Sequence, residues 1–132
     1  MNENIYAPLG KTDMKVNPIG FGGIPIQRLT FEESDKLIKT ALDLGINFFD
    51  SSRAYTDSEE KMGRVFCQYP RDKYIIASKT FSRDGKNAAA DLETALKFLK
   101  TDYIDLYQLH NIASEEQLQQ SLAPGGALEA LQ

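Results

Sequence analysis

The sequence has a single cysteine, Cys67, and only short apolar runs. One cysteine excludes an intrachain disulfide and agrees with a reducing compartment, and we interpret Cys67, near the end of a predicted helix, as a packing residue. A membrane-spanning helix needs roughly 18 consecutive apolar residues, and the amino terminus, MNENIYAP, lacks the basic and apolar regions of a signal peptide. We therefore expect a cytoplasmic protein that does not bind to or cross a membrane.

An excess of basic charge is also missing. The chain has 15 Lys and Arg against 19 Asp and Glu, so its formal net charge is -4, and its lysines are scattered rather than grouped. This pattern offers no basic surface for nucleic acid, and we expect no nucleic-acid partner. The 132 residues, 42% hydrophobic and 26% charged, have the size and composition of one globular domain.

The GxGxxG motif of Rossmann dinucleotide-binding folds is absent too. Three glycines, Gly20, Gly22 and Gly23, instead cluster in a short predicted strand at 19–23. Glycines at a strand end permit close approach of the backbone by a neighbouring segment or by a ligand. The sequence leaves both interpretations open.

The sequence does contain a regular alternation of predicted strands and helices. A hairpin with strands at 6–9 and 16–19 comes first, and further strands are predicted at 19–23, 46–49, 74–79 and 103–109. A capping box at Thr30 and Glu33 marks the first helix, which ends at Gly45. Thr56 and Asp57 are candidate caps of the second helix, and Asn87 is the candidate cap of the third. Another helix begins at 127.

Polar residues mark the ends of three successive predicted strands. Asp50, Lys79 and His110 lie about 30 residues apart, the length of one βα unit. In a parallel (β/α) barrel the carboxyl ends of the strands share the face on which active sites are built. The pattern predicts an α/β fold with about four βα units and a catalytic rim, which Tyr55 joins from the loop after Asp50.

These segments resemble the aldo-keto reductase family. The resemblance rests on FFDSSRAYTDSE, IIASK and YIDLYQLH, and the helix before the last strand also looks like a family signature. Thr56 departs from the pattern, because many members have glycine after the tyrosine. The resemblance implies that residues 1–132 form the N-terminal half of a (β/α)8 TIM barrel preceded by a β-hairpin.

The resemblance also implies the chemistry. Asp50, Tyr55, Lys79 and His110 match the family's catalytic residues, and Tyr55 and His110 would also contact the substrate. NADPH, or less often NADH, would deliver hydride to a small aldehyde or ketone while Tyr55 protonates the oxygen. No metal is expected. The candidate cofactor-binding residues are Gly22, Gly23 and Asp50.

Elementary electrostatics supports these roles. A tyrosine needs about 3 to 4 kcal/mol of help to act as an acid near neutrality. An ammonium about 4 Å away, at an effective dielectric near 20, supplies on the order of 4 kcal/mol. We therefore interpret Lys79 as the activating charge, Asp50 as the group that holds Lys79 charged and aimed, and His110 as a donor to the carbonyl oxygen.

The chain is short for a complete barrel, which needs roughly 200 to 250 residues. We interpret it as a fragment with little reductase activity of its own, whose open strand edges favour self-association. Two alternatives stay open: a non-catalytic regulatory or binding subunit with the same fold, and a barrel enzyme in which Lys79 forms a Schiff base. The sequence does not specify the carbonyl substrate.

Overall fold

The computed structural model describes residues 5–132. Its first elements are two antiparallel strands, β1 (Ala7–Pro8) and β2 (Lys15–Val16), joined by a turn in which Gly10 takes a positive φ of 58°. The side chain of Asn47 binds this hairpin to the main sheet, accepting from the Asn17 N–H at 2.8 Å and donating to the Lys15 carbonyl at 2.8 Å. The predicted hairpin is confirmed, with strands shorter than expected.

Four parallel strands pair in chain order to form one sheet. They are β3 (Phe21–Gly22), β4 (Phe48–Asp50), β5 (Ile75–Thr80) and β6 (Leu106–Leu109). The register sets Gly22 beside Asp50, Asp50 beside Ala77, and Lys79 beside Gln108. The carboxyl ends of all four strands therefore meet at one edge, and the predicted parallel α/β arrangement is confirmed.

Helices connect the strands and cover one face of the sheet. They are α1 (Phe31–Asp43), α2 (Ser58–Phe66), α3 (Gly85–Leu99), α4 (Glu115–Leu122) and α5 (Ala127–Ala130), with 3-10 turns at Pro25–Arg28 and Arg71–Lys73. None of the helices within residues 5–132 is both long and apolar enough to cross a lipid bilayer.

The helix starts follow the predicted capping chemistry in one case only. The capping box of Thr30 and Glu33 is present at α1. At α2 the N-cap residue Asp57 makes no side-chain cap bond, because its carboxylate pairs instead with Lys61 at 2.8 Å. The prediction of Asn87 as the cap of α3 is wrong: the cap is Asp84, whose side chain accepts from the Asn87 N–H at 2.9 Å.

The apolar core fills the space between the sheet and α1, α2 and α3. Phe49 from β4 meets Phe66 of α2 edge-on at 5.1 Å, and Phe66 stacks on Tyr74 at 4.2 Å. Gly63 lets α2 and α3 touch, because a Cβ there would lie 2.0 Å from the Phe98 carbonyl oxygen. The remaining fully buried side chains of this core include Ile26, Ile38, Met62, Val65, Ile76, Ala95 and Leu99.

Leu37, Leu44 and Cys67 lie outside this core. Leu37 and Leu44 of the first helical segment are 44% and 69% exposed, because Ile38 and Ala41 occupy the face of α1 that meets the sheet. Cys67 is exposed as well, so its interpretation as a packing residue is wrong. It follows the last buried turn of α2, and its thiol donates to the Arg64 carbonyl at 3.4 Å.

Candidate active site

Asp50 and Lys79 form an ion pair across two neighbouring strands. The Lys79 Nζ lies 2.8 Å from Oδ1 and 2.6 Å from Oδ2 of Asp50, and it donates a third bond to the Ser51 carbonyl at 2.7 Å. Side-chain exposure is 14% for the lysine and 34% for the aspartate. Since an ammonium has three N–H groups, these contacts use all three donors and fix the direction of the Lys79 side chain.

Tyr55 lies on the loop between β4 and α2, close to this ion pair. Its N–H donates to the Ser52 carbonyl at 3.0 Å, and its carbonyl accepts from the Ser58 N–H at 2.8 Å, so the loop is held at both sides of the tyrosine. The Lys79 Nζ lies 5.0 Å from the centre of the Tyr55 ring. The ammonium thus faces the aromatic ring, a favourable cation–π position.

His110 follows β6 and completes the cluster. The backbone N–H of His110 donates to the Thr80 carbonyl at 2.8 Å, which continues the pairing with β5. The imidazole meets the Tyr55 ring edge-on with centroids 5.5 Å apart, and Phe81 lies against it at 4.2 Å. Burial, helped by the positive charges of Lys79 and Arg83, lowers the pKa of His110 below its ordinary 6.5, although the Asp50 carboxylate opposes this. The ring is therefore neutral at pH 7.

The glycines at the end of β3 have two different explanations. Gly23 donates to the Asp50 carbonyl at 2.7 Å, and a Cβ there would lie 2.4 Å from the Ser58 Oγ, so a neighbouring segment already requires glycine. Gly22 has no atom within 4 Å of its would-be Cβ. Its open face, in register with Asp50, leaves room for a bound group to approach the strand end.

The structure thus brings together Asp50, Tyr55, Lys79 and His110 at the carboxyl edge of the sheet, with Gly22 and Gly23 next to them. Within residues 5–132, no three His, Cys, Asp or Glu side chains are grouped as metal ligands.

Three further residues contact the site and were not indicated by the sequence. The Ser52 hydroxyl lies 2.8 Å from the His110 Nδ1, Phe81 covers the imidazole, and an Arg83 Nη2 donates to the His110 carbonyl at 2.6 Å. All three lie on the loops after β4 and β5. The position of Ser52 two residues after Asp50 was the one available signal, because it belongs to the same short loop as Tyr55.

The fold and the site define a protein built on parallel (β/α) barrel strands, with a carboxylate, an ammonium, a phenol and an imidazole at the strand ends. A family model described as the aldo/keto reductase family matches residues 18–132, and the chain belongs to this family. Its strands and helices are therefore one part of a TIM barrel.

Curated relatives and solved structures agree. L-galactose dehydrogenase of Arabidopsis thaliana is 34% identical over 79% of this chain and 37% of its own length. Aldo-keto reductase YhdN of Bacillus subtilis is 35% identical over 80% and 37%. The holo form of aldo-keto reductase AKR11C1 from Bacillus halodurans superposes with a TM-score of 0.74 and 25% identity, covering 88% of this chain and 44% of that one. The chain thus spans less than half the length of these relatives.

Proposed function

We propose that this chain carries the acid–base residues of an NADPH-dependent aldo-keto reductase that reduces an aldehyde or ketone to an alcohol. The observation that carries the proposal is the cluster of Asp50, Lys79, Tyr55 and His110 at one edge of the sheet. Family membership supports it, since the family's name and its relatives' names describe oxidoreductases.

The reduction adds a hydride to the carbonyl carbon and a proton to the carbonyl oxygen. When bound, NADPH supplies the hydride, and NADH is the second candidate; Gly22, Gly23 and Asp50 would hold the cofactor. Tyr55 donates its hydroxyl proton as the oxygen becomes an alkoxide. The Lys79 ammonium, 5.0 Å from the ring centre, stabilises the phenolate that remains.

His110 has a separate role in this scheme. Because its pKa is lowered, the imidazole is neutral. It therefore approaches the carbonyl oxygen as an uncharged hydrogen-bond donor and not as a cation. It thereby directs the oxygen toward Tyr55, whose ring it meets edge-on. Phe81, which is 46% exposed beside the imidazole, provides apolar surface for the substrate.

The Schiff-base alternative fits this geometry less well. A nucleophilic lysine must be an uncharged amine with a free lone pair. Lys79 instead makes three hydrogen bonds as an ammonium, two of them to the Asp50 carboxylate. With all three donors engaged, the nitrogen is placed for electrostatic assistance to Tyr55 and not for attack on a carbonyl.

The isolated chain is proposed to have little activity, because a TIM barrel binds phosphate groups with the loops after strands seven and eight. The test therefore joins residues 1–132 to the carboxyl-terminal half of Bacillus subtilis YhdN and follows NADPH consumption with an aromatic aldehyde. We expect turnover by the fusion and almost none by the isolated chain.

The decisive variant of the fusion is Tyr55→Phe, which removes the proton donor and is expected to lower kcat by about 10²- to 10⁴-fold. Tyr103→Phe is the matched control, because Tyr103 is 46% exposed and packs on Arg71 away from the cluster. A folded fusion that binds NADPH and keeps its turnover after Tyr55→Phe would refute the assigned role.

A further inference from the structure

Ser52 links the loop after β4 to the imidazole at the end of β6. Its side chain is buried, at 1% exposure, and its Oγ lies 2.8 Å from the Nδ1 of His110. The same oxygen accepts a hydrogen bond from the Ala54 N–H at 3.1 Å. The hydroxyl is therefore held by its own loop while it contacts the ring.

The neighbouring groups determine whether Ser52 or His110 is the donor in the hydrogen bond between them. A serine hydroxyl has one hydrogen, and Ser52 has two acceptors in reach: the His110 Nδ1 at 2.8 Å and the Lys79 carbonyl at 3.4 Å. The Lys79 carbonyl already accepts from the Arg53 N–H at 3.1 Å. Donation to Nδ1 thus places the single hydroxyl hydrogen in the 2.8 Å contact, and the Lys79 carbonyl still has the Arg53 N–H as a donor.

We propose that Ser52 is a positioning residue whose hydroxyl donates a hydrogen bond to the Nδ1 of neutral His110 and so keeps the ring proton on Nε2. In a neutral imidazole one nitrogen donates and the other accepts, and the bond made by one nitrogen sets the role of the other. The nitrogen that is not bound to Ser52 is then always a donor. This inference deepens the proposed function, because that donor is the one offered to the carbonyl oxygen.

The other groups around the imidazole do not determine which ring nitrogen carries the proton. Phe81 and Tyr55 fix its plane through ring contacts at 4.2 and 5.5 Å, but an aromatic contact does not distinguish the two nitrogens by protonation. Lys79, Arg83 and Asp50 act on the charge of the ring as a whole. Ser52 is the described side chain that forms a hydrogen bond to a ring nitrogen.

The single histidine of the sequence makes the test direct. The 132-residue chain is labelled with ¹⁵N-histidine, and long-range ¹H–¹⁵N spectra are recorded at pH 7.5. We expect Nδ1 at the chemical shift of an unprotonated nitrogen and Nε2 at that of a protonated nitrogen. A protonated Nδ1, or equal averaged shifts, would overturn the proposal without any variant being made.

Variants then test whether Ser52 is responsible. Ser52→Ala is expected to move both resonances toward averaged values, and Ser52→Thr, which keeps the hydroxyl, to restore them. Ser58→Ala is the matched control, because Ser58 is equally buried but bonds to Ser51 and not to His110. Unchanged shifts in folded Ser52→Ala would overturn the proposal; if that variant does not fold, the wild-type and Ser52→Thr spectra decide.

The spectra need no turnover, so the two proposals fail separately. A fusion without reductase activity, together with Nε2 protonation that depends on Ser52, would reject the proposed function and keep this inference. Turnover together with a protonated Nδ1 would do the reverse.

Discussion

Thr56, directly after the candidate proton donor, has a left-handed backbone with φ of 41°. A β-branched side chain is strained in this region, whereas glycine is not. We expect Thr56→Gly to raise the free energy of unfolding by about 1 kcal/mol in urea denaturation followed by circular dichroism. Thr40→Gly, in the exposed part of α1, should lower it by a similar amount. Destabilisation by both substitutions would show that Thr56 is not strained.

His110 should make stability depend on pH in one direction. Its pKa is lower in the folded chain than its ordinary 6.5. On acidification below about 6.5, the unfolded chain therefore binds a proton that the folded chain does not, and the free energy of unfolding falls. Above that pH the contribution of His110 is fully present.

The measurement compares urea unfolding of wild type and His110→Asn at pH 7.5 and 5.5. Carboxylates titrate in both proteins, so the extra loss in wild type reports the histidine. An equal loss in the two proteins would contradict the lowered pKa.

Residue spacing predicted part of the site and missed part of it. Asp50, Lys79 and His110 were found because each lies at the carboxyl end of a strand and the βα units have similar lengths. Ser52, Phe81 and Arg83 lie on the loops between these units, and periodicity carries no information on which way a loop side chain points. Their contacts with His110 depend on the three-dimensional course of the loops.

At the scale of elements, the contact between α2 and α3 depends on Gly63. We expect Gly63→Ala to lower the free energy of unfolding by about 1 to 3 kcal/mol, because a Cβ would lie 2.0 Å from the Phe98 carbonyl and the helices must separate. Gly22→Ala is the matched control: no atom lies within 4 Å of its Cβ position, and its effect should stay within about 0.5 kcal/mol. Equal effects in thermal or urea unfolding would contradict this account.

Helix prediction succeeded where local chemistry and burial agree. At α1 the capping box precedes an apolar face that is buried, and both signals were visible in the sequence. Helix α4 gave no such signal. Its Leu118 and Leu122 form no buried apolar face, being 37% and 50% exposed, and its N-cap, Ser114, is one polar residue among many in the sequence. The start of α3 was placed too late because Asp84 and Asn87 are both good caps, and only the structure shows which one accepts the bond.

At the scale of the whole molecule, the sheet has two open edges among the described residues. Strands β3 and β6 each pair with one neighbour only, and the free side of an edge strand presents backbone groups that can pair with another chain. We propose that the isolated 132-residue chain self-associates through these edges. Light scattering after gel filtration at micromolar concentration should give at least twice the chain mass of 14.8 kDa. A monomeric mass in a folded sample would contradict it.

The three bonds of Lys79 have a consequence for how chemistry and folding are coupled. All three acceptors of its Nζ belong to two consecutive residues, Asp50 at the end of β4 and Ser51 directly after it. The ammonium is thus preorganised by a single strand pairing, before any ligand arrives. Local opening that separates β4 from β5 would break this pairing, and with it the electrostatic help proposed for Tyr55, even while the helices persist. Hydrogen-exchange protection of these two strands therefore sets an upper limit on the lifetime of the assembled cluster.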